Sequence, residues 1–162
     1  MICYRKATLE DLEILWNRSI AENPGDARYL RWKDSFISRN QQQEAATFVV
    51  VDGVLPVGEV TLDYYASGYG NAESRIKLAD GKTTGYVTAL RIREEYEGKG
   101  YVSQLMRCME DGARALGFRR LTIGVEAAET RNLGIYLHWG YDAFVMSEID
   151  DGALVLFYEK KL

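Results

Sequence analysis

The residues most able to do chemistry sit in the stretch "EEYEGKGYVSQLMRCMED", Glu94 to Asp111. Gly98, Lys99 and Gly100 lead directly into apolar residues at helical spacing. The first backbone N–H groups of a helix have no partner inside it, and the helix dipole adds partial positive charge there. Such a mouth suits a phosphate. Glycines leave it unobstructed and tolerate unusual dihedrals, and Lys99 would add a point charge. Two readings stand side by side, an ordinary helix entry and a phosphate cradle. A Walker loop is excluded, because Gly98-Lys99-Gly100-Tyr101 lacks both the upstream glycine and the following Ser or Thr. A dinucleotide fingerprint is incomplete, with Ser103 in the place of the third glycine. His138 is the single histidine, and Cys3 and Cys108 have no metal-ligand spacing, so no metal site is expected.

A helix running on from Gly100 must position this turn. Val102, Leu105, Met106, Met109, Ala113 and Leu116 follow i, i+3, i+4 spacing, and Gly117 ends the run. Before the turn, "TTGYVTALRIRE" reads as a strand with apolar residues at both parities, as in a strand covered on both sides. Upstream, "ICYRKA" is a short strand and "TLEDLEILWNRSIAEN" a helix, with Thr8 as N-cap and Asp11 three residues on. Pro24-Gly25 breaks that helix, and a second covers Ala27 to about Arg39. "ATFVVVDGVLPVGEVTLDYY" reads as a hairpin turning at Asp52-Gly53. The glycine-rich residues 66–82 show no clear period and read as a long loop. "RRLTIGVE" is a strand, "ETRNLGIYLHWG" a short helix closed by Gly140, and the chain ends in a hairpin. The order predicts one mixed α/β (α+β) domain over residues 1–162, with a mostly antiparallel sheet and about four helices.

The 162 residues, 47% apolar and 27% charged, suffice for a core without disulfides or metals. A net charge of −4 argues against a non-specific nucleic-acid binder. There is neither a signal peptide nor a long apolar run, so a cytoplasmic protein with no membrane contact is expected.

"ALRIREEYEGKGYVSQLM" resembles the acetyl-CoA loop of the GNAT superfamily of N-acetyltransferases, and "NLGIYLHWGYDAF" resembles that family's late helix and following strand. Gly100 matches the central glycine of the loop, and Tyr136, Gly140 and Tyr141 match the late helix. Glu97 and Val102 stand where the family usually has Arg or Gln and Gly or Ala. The resemblance implies an acyl-CoA-dependent N-acetyltransferase that moves acetyl directly from acetyl-CoA to a primary amine, on a sheet with two splayed strands. It implies cofactor contacts at Leu90, Arg91, Ile92, Glu97, Gly98, Lys99, Gly100, Tyr101, Val102, Ser103 and Asn132. A backbone N–H of Arg91 or Ile92 would polarise the thioester carbonyl, and Tyr136 would protonate the leaving thiolate. Thr88 stands where many members carry a basic glutamate, which leaves Glu59, Asp63, Glu126 or water as the base. Tyr64, Tyr65 and Tyr69 are candidates for an acceptor pocket. The acceptor would be a small-molecule or peptide amine, and a homodimer is expected by resemblance. A non-catalytic acyl-CoA-binding domain on the same fold is the competing reading.

Overall fold

Thr8 begins the first helix by a reciprocal cap. Its hydroxyl accepts from the Asp11 N–H at 3.2 Å, and the Asp11 carboxylate accepts from the Thr8 N–H at 2.7 Å. Such a pair satisfies two of the donors that a helix start leaves over. The computed structural model describes residues 1–66 and 71–162. Over these the chain forms strand β1 (Ile2–Lys6), helices α1 (Leu9–Glu22) and α2 (Ala27–Gln41), strands β2 (Ala45–Asp52) and β3 (Leu55–Asp63), and helix α3 (Ala72–Leu78). Then come strand β4 (Thr84–Ile92), helix α4 (Tyr101–Ala115), strand β5 (Arg120–Glu126), helix α5 (Thr130–His138), and strands β6 (Ala143–Asp150) and β7 (Ala153–Lys161). The seven strands follow the order β1-β2-β3-β4-β5-β7-β6. The fold is mixed α/β, as expected, with five α-helices rather than about four.

The additional helix is α3, within the residues expected to be a loop. Asn71 caps it by accepting from the Ser74 N–H at 3.0 Å. Its Ile76 is exposed and only Leu78 is buried. A helix with one core residue has no apolar stripe, so periodicity does not reveal it.

The chain divides into two compact units, Met1–Thr61 with Ala89–Asp111, and Leu62–Thr88 with Gly112–Leu162. In the first, β1 pairs antiparallel with β2, from Ile2 opposite Asp52 to Lys6 opposite Phe48. Ala45 to Val51 are all buried, so β2 is covered on both faces. Helix α2 is tied to it through Asn40, whose amide donates to the Thr47 hydroxyl at 2.9 Å and accepts from the Thr47 N–H at 2.9 Å. Leu15 of α1 packs with Val49 and Val51, and Trp16 and Phe36 join the two helices with ring centres 5.0 Å apart.

In the second unit, β4 pairs parallel with β5 from Thr84 opposite Arg120 to Val87 opposite Ile123. Strand β7 lies antiparallel to both β5 and β6. Ala66, Leu78, Ala79, Tyr86 and Phe157 form one core cluster there. The turn into β4 is built by Asp80, whose carboxylate accepts from the N–H groups of Lys82, Thr83 and Thr84 and from the Thr83 hydroxyl, at 2.7 to 2.9 Å. Desolvation opposes its ionisation, but these bonds outweigh it and hold the carboxyl well below the usual carboxylate range. A carboxyl depressed on folding stabilises the fold above its unfolded pKa and loses that contribution as pH falls below it. Asp80→Asn should therefore lower the denaturation midpoint at pH 7. The gap from the parent should narrow as pH drops below about 4 in urea titrations.

Candidate active site

Strand β4 changes character along its length. Thr84 to Val87 are buried and paired with β5, whereas Thr88 to Ile92 are half-buried. Between these parts Ala89 takes a φ of +53°. That is the left-handed region, which costs a residue with a Cβ about 1–2 kcal/mol. The expectation of a strand covered on both sides thus holds only for the first part. Sequence reasoning missed the distortion, because alanine carries no signal for a positive φ.

The first unit holds the second part of β4, the glycine turn and the start of α4. Beyond Ile92 a single 3-10 turn (Glu94–Tyr96) precedes Gly98 and Gly100, whose φ angles are +71° and +79°. Glu97 to Gly100 are exposed, and Tyr101, Val102 and Ser103 are half-buried. The first hydrogen bond of α4 runs from the Gln104 N–H to the Gly100 carbonyl at 3.3 Å. The N–H groups of Tyr101, Val102 and Ser103 therefore lie ahead of the helix's own ladder. Nothing stands within 4 Å of where a Cβ on Gly98 or Gly100 would be, so the turn is open as well as bare. The Lys99 ammonium lies 5.4 Å from the centre of the Tyr96 ring, and the Tyr96 hydroxyl donates to Asp52 at 2.8 Å. These contacts seat the turn without covering it.

The side chain of Arg91 points to other business. Its Nε and Nη2 both donate to Glu59 Oε1, the former at 2.9 Å, and Nη1 donates to the Ser19 hydroxyl at 3.1 Å. Its guanidinium carbon lies 4.6 Å from the centre of the Trp16 ring. These bonds use three of the five guanidinium N–H groups, and the backbone of Arg91 stays available to a ligand. The pair follows from register: Arg93 N–H donates to the Val57 carbonyl at 2.9 Å, which sets Glu59 and Arg91 opposite each other on antiparallel strands. Glu59 is 1% exposed, and its second oxygen, Oε2, has no partner. Burial pushes its carboxyl upward, with the Arg91 charge opposing. Glu59 and Arg91 border a cavity of 430 Å³ with Leu15, Tyr29, Ile92 and Arg93. Leu90 is half-buried beside them in sequence.

The second unit holds Asn132 and Tyr136, both in α5. The Asn132 amide donates to Glu129 at 3.2 Å. Tyr136 is half-buried with its ring centre 5.9 Å from that of Trp139, and burial, then the Glu129 charge, pushes its phenol upward. It therefore holds its proton at neutral pH. His138 is exposed. Of the other candidate bases, Asp63 is buried and Glu126 exposed. Tyr64 lies against Phe118 with centres 5.1 Å apart, Tyr65 is exposed, and Tyr69 lies outside the described residues. Among the described residues no cluster of His, Cys, Asp or Glu is arranged to hold a metal, and no helix is long and apolar enough to cross a membrane.

Residues 9–141 match the acetyltransferase (GNAT) family, and the chain belongs to it. No curated protein matches the sequence. Among solved structures, PaiA N-acetyltransferase from Thermoplasma acidophilum in complex with coenzyme A is similar at 20% identity, with 100% of this chain and 99% of that one covered and a TM-score of 0.64. Ribosomal-protein-alanine N-acetyltransferase from Brucella melitensis is similar at 16% identity, over 99% of each chain, with a TM-score of 0.69. YncA from Salmonella typhimurium, a putative acetyltransferase solved with acetyl-CoA, is similar at 14% identity over 100% and 94%, with a TM-score of 0.67. At these identities the likeness is one of fold.

The Glu59–Arg91 pair gives a test of the site's electrostatics. Arg91→Ala would strand a buried carboxylate. The loss at pH 8 should be about 2 to 3 kcal/mol, below that for a fully buried pair because the Arg91 side chain is 38% exposed. Stranding also raises the Glu59 pKa further, so the folded variant gains a proton that the unfolded chain lacks. The deficit should therefore shrink from pH 8 toward pH 5 in urea unfolding.

Proposed function

We propose that this protein transfers an acetyl group from acetyl-CoA directly to a primary amine of a small molecule or peptide. The observation that carries this reading is the open glycine turn running into α4, with three backbone N–H groups ahead of the helix ladder. The N–H groups from Gly98 to Ser103 would hold the pyrophosphate, with Lys99 adding charge. The backbone of Ala89 to Ile92 would pair with the pantetheine arm, since β4 pairs with β5 only as far as Val87. Glu97 and Asn132 would border the bound cofactor, as the family resemblance implies.

Bound acetyl-CoA supplies a thioester carbonyl open to attack. The chain's residues must supply the rest. An N–H of Arg91 or Ile92 would donate to the carbonyl oxygen as charge gathers there. A lysine-like amine has a pKa near 10.4, so freeing it of its proton at pH 7 costs about 5 kcal/mol, and a base must offset part of that. Glu59 suits the task better than Asp63 or Glu126. It is buried, its carboxyl is pushed upward, and one oxygen has no partner. A water relay would serve equally as the proton's first stop. Tyr136 would give its phenolic proton to the departing sulfur. The carbon–nitrogen bond forms, the carbon–sulfur bond breaks, and the products are an amide and a free thiol.

Two variants separate binding from chemistry. Gly100→Val places a branched side chain at a positive φ over the turn. Calorimetry should show coenzyme A affinity reduced at least about tenfold, against a folding cost of only about 1–2 kcal/mol. Undiminished affinity would remove the turn from the cofactor site. Tyr136→Phe should leave coenzyme A affinity within twofold and cut kcat by about 100-fold or more, read as thiol release with a panel of amines. Full turnover in that variant would dismiss the tyrosine as the acid.

A further inference from the structure

Among the described residues, three buried side-chain polar atoms have no hydrogen-bond partner: Trp16 Nε1, Glu59 Oε2 and Arg93 Nε. All three belong to the first unit. Glu59 and Arg93 border the same 430 Å³ cavity, and Trp16 lies beneath the Arg91 guanidinium that borders it too. Each unmet buried group costs about 1–3 kcal/mol, and each calls for an explanation such as a bound water, an ion or a ligand. Two of the three, Glu59 Oε2 and Arg93 Nε, belong to residues that line one cavity, and that pairing marks a candidate site.

The unmet groups specify its ligand. Glu59 Oε2 is an acceptor in want of a donor. Arg93 Nε and Trp16 Nε1 are donors in want of an acceptor. Of the other charged residues on the lining, Glu94 and Glu95 are exposed, and the rest are engaged with one another. Arg91 is bound to Glu59 through two of its nitrogens, and Arg18 pairs with Glu22 at 2.6 Å. A ligand must therefore bring a donor and an acceptor of its own, close together, with a cation for Glu59 and an anion for Arg93. Leu15, Tyr29 and Val57 add apolar wall for a side chain. The volume falls in the range of small-molecule sites.

We infer that this cavity binds a free amino acid, its ammonium on Glu59 Oε2 and its carboxylate on Arg93 Nε, and that amino acids are the acceptor class. Both atoms are shielded from solvent. Entry requires the Glu59 and Arg93 side chains to turn toward the cavity, and their unmet hydrogen bonds favour that turn. The choice of acceptor rests on the acetyltransferase reading, whereas the binding itself does not.

Calorimetry on the full chain, with and without saturating coenzyme A, tests this directly. The probes are the twenty free amino acids and, for any that bind, the matching amine without the carboxylate, the acid without the amine, and the amino-acid amide. At least one amino acid should bind, and loss of either charged end should weaken it at least tenfold. Arg93→Gln should erase the preference for the amino acid over its decarboxylated amine, and Arg93→Lys should restore part of it. Coenzyme A affinity should stay within twofold in both variants. Equal binding of the amine or the amide overturns the proposal and points to a polyamine or a peptide. Coenzyme A binding with no amino acid bound overturns it while leaving the acetyltransferase reading intact. Absence of coenzyme A binding defeats that reading instead. Ordered waters alone on Glu59 Oε2 and Arg93 Nε, in crystals soaked with the amino acids, overturn the proposal as well.

Discussion

The site depends on a strand that stops being ordinary halfway along. As far as Val87, β4 is a buried member of a sheet with a parallel neighbour. From Ala89 onward its backbone leads toward the glycine turn. The change is made by one residue at φ +53°. An alanine there costs about 1–2 kcal/mol, which the surrounding strand must offset. A regular β4 would have continued its ladder, leaving no backbone free to meet a ligand. The local strain and the chemical opportunity are therefore one feature, and observed strain of this kind is a sound starting point for a functional hypothesis.

The other organising feature is the burial of Glu59. Placing a carboxylate in an interior costs several kcal/mol, and a paired cation only partly returns it. Here the return is further limited. Arg91 uses two nitrogens on one oxygen and leaves the second without a partner. Had stability been the only requirement, a guanidinium could meet both oxygens, as its fork geometry allows. The arrangement anchors the carboxylate by one oxygen and keeps the other in reserve. Trp16 and Ser19 hold the guanidinium from the α1 side. Burial pushes the carboxyl upward, and a carboxyl pushed upward is a better proton acceptor.

Much of the frame is legible in the sequence because local chemistry decides it. Thr8 and Asp11 announce the cap of α1, and the spacing of Leu105, Met106 and Met109 announces α4, where all three are buried. Gly98 and Gly100 do take positive φ angles, as their type permits. Other features are hidden for definite reasons. Helix α3 buries only Leu78, so it has caps but no stripe. The positive φ of Ala89 has no residue signature. Glu59 and Arg91 meet through strand register, and the residues between β3 and β4 conceal that register from the sequence. Arg93, which carries the inference about the ligand, reads as one more charge at the end of a strand.

These hidden features share an origin. Helix caps and glycine turns are set by neighbours a few residues away, so they leave a mark in the sequence. The reserve oxygen of Glu59, the unmet Arg93 Nε and the bent β4 are set by what faces them across the fold. Each also departs from what stability alone would choose, in an unpaired acceptor, an unpaired donor and a strained dihedral. Natural sequences break local rules mainly where function requires it. Three such departures lie within one unit, bordering or leading to one cavity and one turn, and the proposed chemistry is assigned there on that ground.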